Sequence, residues 1–205
     1  MGLSVYFIAN NWRKMVVAGL DLSINSTGVC IYDTDTKRSI YYIIGSKFTK
    51  KALAYQHQRL SLISYEKQTV DSKTDYSVKE DVKTYNIYKI VSTIRRILVQ
   101  HNVEAVAIEG ISFGSTGSAA LIDLSGLNYM TRMTVIELGI PSMYIVSPTQ
   151  NKKFASGNGS AEKDVMISAW NKMDRDMTDI ADYIKVDDIA DAYFLARYAE
   201  SLLIT

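Results

Sequence analysis

The sequence predicts an α/β fold in which helices flank one mixed sheet of five strands. Three short segments rich in β-branched and aromatic residues come first, and apolar segments of strand length then alternate with helical patterns. At 205 residues, 47% of them hydrophobic, the chain is long enough to bury a sizeable core. We therefore expect one globular domain, and nothing in the composition indicates overall disorder.

The first three strands are predicted at Val16–Leu22, Gly28–Tyr32 and Ser39–Gly45. Polar turn residues separate these segments, so they form a meander in the prediction. The chain then becomes polar and charged with weak periodicity. We interpret Lys50–Glu80 as an insertion that is partly helical and mobile.

The second half of the chain alternates helices with strands. Val103–Glu109 is a compact, mostly apolar segment after a helical pattern, as expected of a central parallel strand. Ligands of such sheets bind beyond the carboxyl ends of the strands, which is where Glu109 falls. The other predicted elements are a helix Asp81–His101, a long helix after Gly110–Ser118 to about Leu138, a strand Ser142–Val146, a loop Pro148–Ser160, and helices Ala161–Met173 and Asp187–Leu203.

Composition and the chain start narrow the possible classes. We interpret residues 1–14 as an N-terminal extension of unassigned role and 15–205 as the folded domain, with the insertion at about 50–80. The extension has no apolar stretch that could span a bilayer. The 23 lysines and arginines nearly balance 22 acids, so bulk charge gives no sign of nucleic-acid binding. Cys30 is the single cysteine, which excludes a disulfide framework and fits a reducing, cytoplasmic setting.

Four carboxylates stand inside otherwise apolar segments: Asp21, Glu109, Asp188 and Asp191. Burying an unpaired carboxylate is costly, so such a group persists where a cation, a positive side chain or a proton neutralises it. Asp188 and Asp191 are three apart on a predicted helix and share one face. Each acid alone has an ordinary explanation as a strand-end turn residue, a satisfied edge acid or a solvated helix start. Together they predict one shared site.

The ligand type indicates the metal and the chemistry. Carboxylate oxygens favour Mg²⁺, with Mn²⁺ able to substitute. Two strand acids and a helical pair can hold two such ions about 4 Å apart, one activating a water and one stabilising the leaving oxygen of a phosphodiester. The sequence therefore predicts metal-dependent phosphoryl chemistry.

Four short motifs resemble the successive motifs of RuvC-type Holliday junction resolvases: Gly19–Gly28, Ala107–Gly110, Gly157–Lys163 and Asp188–Ala192. The resemblance implies an RNase H-like fold and a homodimeric, Mg²⁺-dependent endonuclease that nicks two strands of a four-way DNA junction symmetrically. It also implies that the four carboxylates are the catalytic, metal-binding acids. The long Lys50–Glu80 connection and the nearly neutral charge depart from the family pattern, which affects substrate preference and affinity.

The resemblance also implies which groups hold DNA. In the Pro148–Ser160 loop and just after it, Lys152 or Lys153 and then Lys163 match lysines that the family keeps near the scissile phosphate, and Lys163 can offset charge in the transition state. Amides of a glycine-rich helix start attract phosphate. The remaining expected contacts are Gly157, Gly159 and Ser160, with Ser160 capping the next helix. An ordinary loop with solvated lysines is the alternative.

Three further features each have two explanations. Phe113 lies in the Gly- and Ser-rich loop beside the acids and can stack on an unpaired base, although a buried anchor would give the same sequence. The Lys47–Lys51 cluster, with Phe48 between basic residues, is a candidate for backbone contact, but a solvated face is favoured. The helix at about 119–138 builds the dimer interface in the family, whereas its leucine spacing fits core packing equally well.

Other functional classes explain the sequence less well. An endonuclease of the same fold that cuts branched or flap DNA is the main alternative. An actin-like ATPase shares a hairpin resembling Gly19–Gly28, but 205 residues leave no room for its second lobe. We expect no nucleotide cofactor and no membrane partner.

Overall fold

The computed structural model describes residues 14–111 and 118–203. Its centre is a six-stranded mixed sheet with the order β4-β3-β2-β1-β5-β6. The first three strands form an antiparallel meander, and β4, β5 and β6 each pair in parallel with a neighbour. The strands are β1 (Val16–Asp21), β2 (Ser26–Asp33), β3 (Arg38–Gly45), β4 (Leu60–Ser64), β5 (Ala105–Glu109) and β6 (Ser142–Val146).

Helices cover both faces of the sheet. One face packs against α2 and α3, and the other packs mainly against α6 with α5. Among the described helices, none is long and apolar enough to cross a membrane. The helices are α1 (Lys50–Ala54), α2 (Tyr76–Gln100), α3 (Ser118–Glu137), α4 (Pro148–Ser156), α5 (Lys163–Met173) and α6 (Asp187–Leu203), with a 3₁₀ segment at Arg175–Asp182.

Two glycines allow α6 to lie directly on the meander. A Cβ atom on Gly19 of β1 would lie 2.0 Å from the backbone oxygen of Ala192, and one on Gly28 of β2 would lie 2.2 Å from that of Asp188. No other residue permits such an approach of helix to sheet. The start of α6 is thereby fixed above the ends of β1 and β2.

The predicted α/β class is confirmed, with a mixed sheet and flanking helices, but the predicted count of five strands is corrected to six. The additional strand, β4, lies within the segment interpreted as an insertion, together with α1. It is an edge strand in which no residue is fully buried, so its sequence lacks the continuous apolar character of a central strand.

The predicted loop Pro148–Ser160 is also wrong in part, because its first nine residues form α4. Ser147 and Gln150 form a capping box, and Gly157 ends the helix in a left-handed conformation with φ of 80°. The next helix, α5, begins at Lys163 and not at residue 161, with Glu162 at its N-cap position. Ser160 therefore does not cap it.

Candidate active site

Asp21 and Glu109 lie at the same edge of the sheet. They are the last residues of β1 and β5, which pair in parallel with Leu20 opposite Ile108. Two residues earlier, the position that a Cβ would take on Gly19 and the side chain of Ala107 face α6, and alternation along a strand gives the two acids the same direction. Both acids therefore point toward the start of α6.

The first turns of α6 carry the other two acids. Asp188 lies above Gly28, and its Oδ2 accepts a hydrogen bond from the Ser26 hydroxyl. Asp191 follows one turn later, and its backbone oxygen accepts a hydrogen bond from the Asn151 side chain of α4 at 3.3 Å. We call Asp21, Glu109, Asp188 and Asp191 the carboxylate cluster.

Burial and mutual repulsion disfavour the charged forms of the cluster. Burial, followed by the charge of Asp191, raises the pKa of Glu109 to about 7. Burial, followed by neighbouring aspartates, raises the pKa of Asp191 to about 6. The pKa of Asp21 is raised well above its ordinary value by burial and by all its acidic neighbours, and burial also raises the pKa of Asp188. Such a set is stabilised by positive charge.

The donor set fits a hard divalent cation. Every cluster side chain offers carboxylate oxygens, which are the ligands of Mg²⁺ and Mn²⁺. In residues 14–111 and 118–203, no three acidic, histidine or cysteine side chains already have the spacing of a closed metal cage. The four carboxylates therefore lie close enough to repel one another without forming a closed cage.

Three lysines lie near the cluster and act on its charge. Lys163 and Lys185 both donate to Oδ2 of the buried Asp187, at 2.5 and 3.0 Å. Burial favours a higher pKa for Asp187, but these two hydrogen bonds outweigh it and hold the pKa below its ordinary value. Because two ammonium groups share one carboxylate, this rim keeps a net positive charge. The charge of Lys152 on α4 opposes the rise in the pKa of Glu109 and of Asp191, but it is smaller than the effect of burial.

The other predicted DNA contacts differ in position. Lys153 is exposed on α4, next to Lys152. Gly157 ends α4, and a Cβ on Gly159 would lie 2.7 Å from Thr149 Cγ2, so both glycines have structural reasons to be present. Ser160 lies in the connection, where its amide donates to Asn158 Oδ1 at 3.0 Å. Phe113 lies outside the described residues.

Sequence reasoning missed several polar residues that hold the site. Asp187 is one of them, because it binds two lysines. Ser26 bonds Asp188, and Asn128 donates from its side chain to the backbone oxygen of Glu109 at 2.9 Å. Asn151 does the same for Asp191. No local pattern marks such residues, because their partners are far away in the sequence.

Solved structures share this fold. Thermus thermophilus RuvC superposes with a TM-score of 0.57 at 18% identity, covering 93% of this chain and 98% of that one. The same protein in complex with a Holliday junction substrate gives 0.59 at 18%, covering 93% and 97%. The yeast mitochondrial Holliday junction resolvase Ydc2 gives 0.56 at 12%, covering 93% and 81%. These likenesses confirm the expected fold.

Sequence comparison identifies the family. No curated protein matches the chain. The family model of crossover junction endodeoxyribonuclease RuvC, however, matches residues 56–197, which is well over half of the sequence. The chain therefore belongs to the RuvC family of crossover junction endodeoxyribonucleases.

Proposed function

We propose that this protein is a structure-selective, metal-dependent endonuclease that resolves four-way DNA junctions by paired symmetric nicks. The observation that carries the proposal is the carboxylate cluster, four acids from three elements whose mutual repulsion calls for a cation. Family membership supports junction DNA as the substrate. The solved relatives contribute the fold alone.

The cluster holds the metal in this proposal. Nucleases of the RuvC family use divalent metal ions, and we propose two Mg²⁺ per site, with Mn²⁺ able to substitute. Bound there, the metal would supply an activated water and a positive charge for the leaving oxygen, and the products would carry a 5′ phosphate and a 3′ hydroxyl. The carboxylate cluster would hold the metal through Asp21, Glu109, Asp188 and Asp191. The Ser26 hydroxyl fixes the rotamer of Asp188.

Two lysines near the carboxylate cluster position the DNA strand. Lys152 and Lys163 lie close enough to the cluster to lower the pKa of Asp191, so their charges also act on a phosphate placed there. Lys163 offsets negative charge that develops in the transition state. Lys153, Gly157, Gly159 and Ser160 contact the backbone on either side, and Phe113 stacks on an unpaired base.

A homodimer would supply two sites for two strands. The described part of α3 exposes a stripe of large apolar side chains at helical spacing, with 55–66% of each side chain accessible. Such a stripe suits an isologous contact with a second copy. Its members are Ile122, Tyr129, Met133 and Ile136.

The test is cleavage of a mobile four-way junction against matched linear duplex and flap DNA, in Mg²⁺ and in EDTA, with the nicks mapped on every strand. We expect symmetric nicks at the junction, only with metal, from a species that has the mass of a dimer. If flaps were cleaved in preference to junctions, the proposed substrate would be wrong and the proposed metal site would stand. Junction binding without cleavage would contradict the enzyme assignment.

The setting in which the protein works is a further part of the proposal. Cys30 is buried and free, as expected of a protein kept in a reducing cytoplasm. We propose a bacterial or phage-infected cell.

A further inference from the structure

A small cavity adjoins the carboxylate cluster and has no role in the chemistry described above. Its volume is about 210 Å³, and its lining includes Asn25, Ser26, Lys47, Phe48, Tyr183 and Lys185. Ser26 belongs to both sites, because its hydroxyl binds Asp188 while its side chain lines the cavity. A group seated here is therefore one side chain away from the proposed cleavage site.

The cavity combines an aromatic wall with a basic rim. Phe48 packs against Gly45, where a Cβ would lie 3.0 Å from the ring, so the ring has a fixed position. Lys47 and Lys185 stand at the rim, where Lys185 also binds Asp187, and Lys67 donates to the side-chain oxygen of Asn25 at 3.1 Å. No acidic side chain is among the described residues that line this cavity. This chemistry suits a ligand with a flat ring and a negative charge.

Size narrows the ligand further. Sites for drug-sized molecules typically measure about 300–1,000 Å³, so this cavity has room for one ring-sized group. A base can enter only if it has left its stacked pair. Strands that present such bases are those at branch points rather than in continuous duplex.

We propose that the cavity binds one nucleotide of the cleaved strand, with its base on Phe48 and its phosphate on Lys47. The inference rests on the proposed junction cleavage and adds a subsite that selects unpaired nucleotides next to the cut. Lys47, Phe48 and Ala52 precede the residues 56–197 that match the family model, so the subsite is built partly by sequence outside that match. It also gives a function to the Lys47–Lys51 cluster, for which a solvated face was favoured.

The cavity between α4, α5 and α6 provides a contrast. It is larger, about 610 Å³, and its lining includes the acidic Asp164 beside Lys172 and Phe154. The carboxylate cluster does not contribute to its lining. Lys172 therefore serves as a matched control for a lysine of the proposed subsite.

The test is junction binding in EDTA by fluorescence anisotropy, with parent protein and the Phe48→Leu variant, which keeps an apolar side chain without the ring. Junctions each carry one abasic nucleotide within a few positions of the mapped nick. At one position we expect the abasic change to weaken binding by the parent about fivefold or more, and Phe48→Leu to weaken that junction no further. If the abasic change and Phe48→Leu weakened binding independently at every position, so that their fold-changes multiplied, the subsite would be overturned.

A second variant keeps the test decisive if Phe48→Leu fails to fold. Lys47→Ala removes an exposed side chain, and we expect it to reduce the slope of log Kd against log salt by about 0.7, the value for one contact to single-stranded phosphate. Lys172→Ala should leave the slope unchanged. An unchanged slope in Lys47→Ala would overturn the subsite. If the parent protein bound no junction, the proposed function would be overturned as well. If it bound junctions and Lys47→Ala kept the slope, only the subsite would be overturned.

Discussion

The buried Asp174 and the carboxylate cluster lie on the same side of the sheet, but their charges have opposite kinds of neighbour. Asp174, next to the 3₁₀ segment, accepts hydrogen bonds from the Arg59 guanidinium and from the Tyr41 hydroxyl at 2.7 Å. Trp170 donates to the same hydroxyl at 3.0 Å, which completes the network. In the carboxylate cluster, Asp21 and Glu109 instead face other acids.

The difference separates stabilisation from function. The Asp174 network satisfies its own charge, so it contributes to a unique packing of β3, β4 and α5. The carboxylate cluster leaves charge unsatisfied in the isolated chain, which costs stability and creates affinity for a cation. Removing one charged group from each region should therefore have different consequences.

The largest expected effect is on catalysis. Asp21→Asn keeps the shape of the side chain but removes a charge that holds metal, so we expect cleavage to fall about a thousandfold or more. Junction binding in EDTA should remain. Asp35→Asn, in the exposed β2–β3 turn, is the matched control and should cleave normally. Full activity of Asp21→Asn would contradict the proposed mechanism.

The next effect is on stability. Arg59→Met leaves Asp174 buried without its cation, which we expect to lower the free energy of unfolding by about 3 kcal/mol. Urea unfolding measures the change, and cleavage by the folded fraction should persist. Arg95→Met removes an exposed ion pair with Glu137 and should change stability by no more than about 0.5 kcal/mol. Equal losses in the two variants would remove the contrast between buried and exposed pairs.

The two regions also differ in how well the sequence predicts them. The grouping of the four acids, the bounds of α6 and those of β1 and β5 to within two residues were predictable, because apolar segments and helical spacing mark them. The partners of Asp174 were not, since Tyr41 and Arg59 are more than one hundred residues away in the chain. Strand β4 was missed for a related reason, because its pairing with β3 is set by tertiary contact rather than by its own pattern. The mobility predicted for Lys50–Glu80 stays a prediction.

A third effect links the cluster to pH and metal. Acids whose pKa is higher in the folded state favour the protonated form there, so their stability contribution is present at low pH and is lost as pH rises through about 6 to 7. In EDTA we expect the free energy of unfolding to fall by on the order of 2 kcal/mol between pH 5 and pH 8. Mg²⁺ should reverse the fall at pH 8 and have little effect at pH 5.

Two comparisons make the pH experiment specific. Asp21→Asn should show a smaller fall, because one raised pKa is absent. Asp33 and Asp187 have lowered pKa values, so their contributions change only below the ordinary range of aspartate and do not affect this window. Burial lowers the pKa of His101, which adds the same opposite rise to both proteins, so identical profiles of the parent and Asp21→Asn would show that the cluster is not held in repulsion.

The smallest expected effect is that of Lys163, which lies near both a paired acid and the carboxylate cluster. Lys163 pairs with the satisfied Asp187, yet its charge also lowers the pKa of Asp191. Lys163→Gln should therefore reduce cleavage about tenfold and move the acidic limb of the pH–rate profile upward. Stability should change little, since Lys185 still binds Asp187 and Lys163 is largely exposed. Lys172→Gln is the control. A profile that loses amplitude without moving would mean that Lys163 acts on the DNA alone and does not tune the carboxylate cluster.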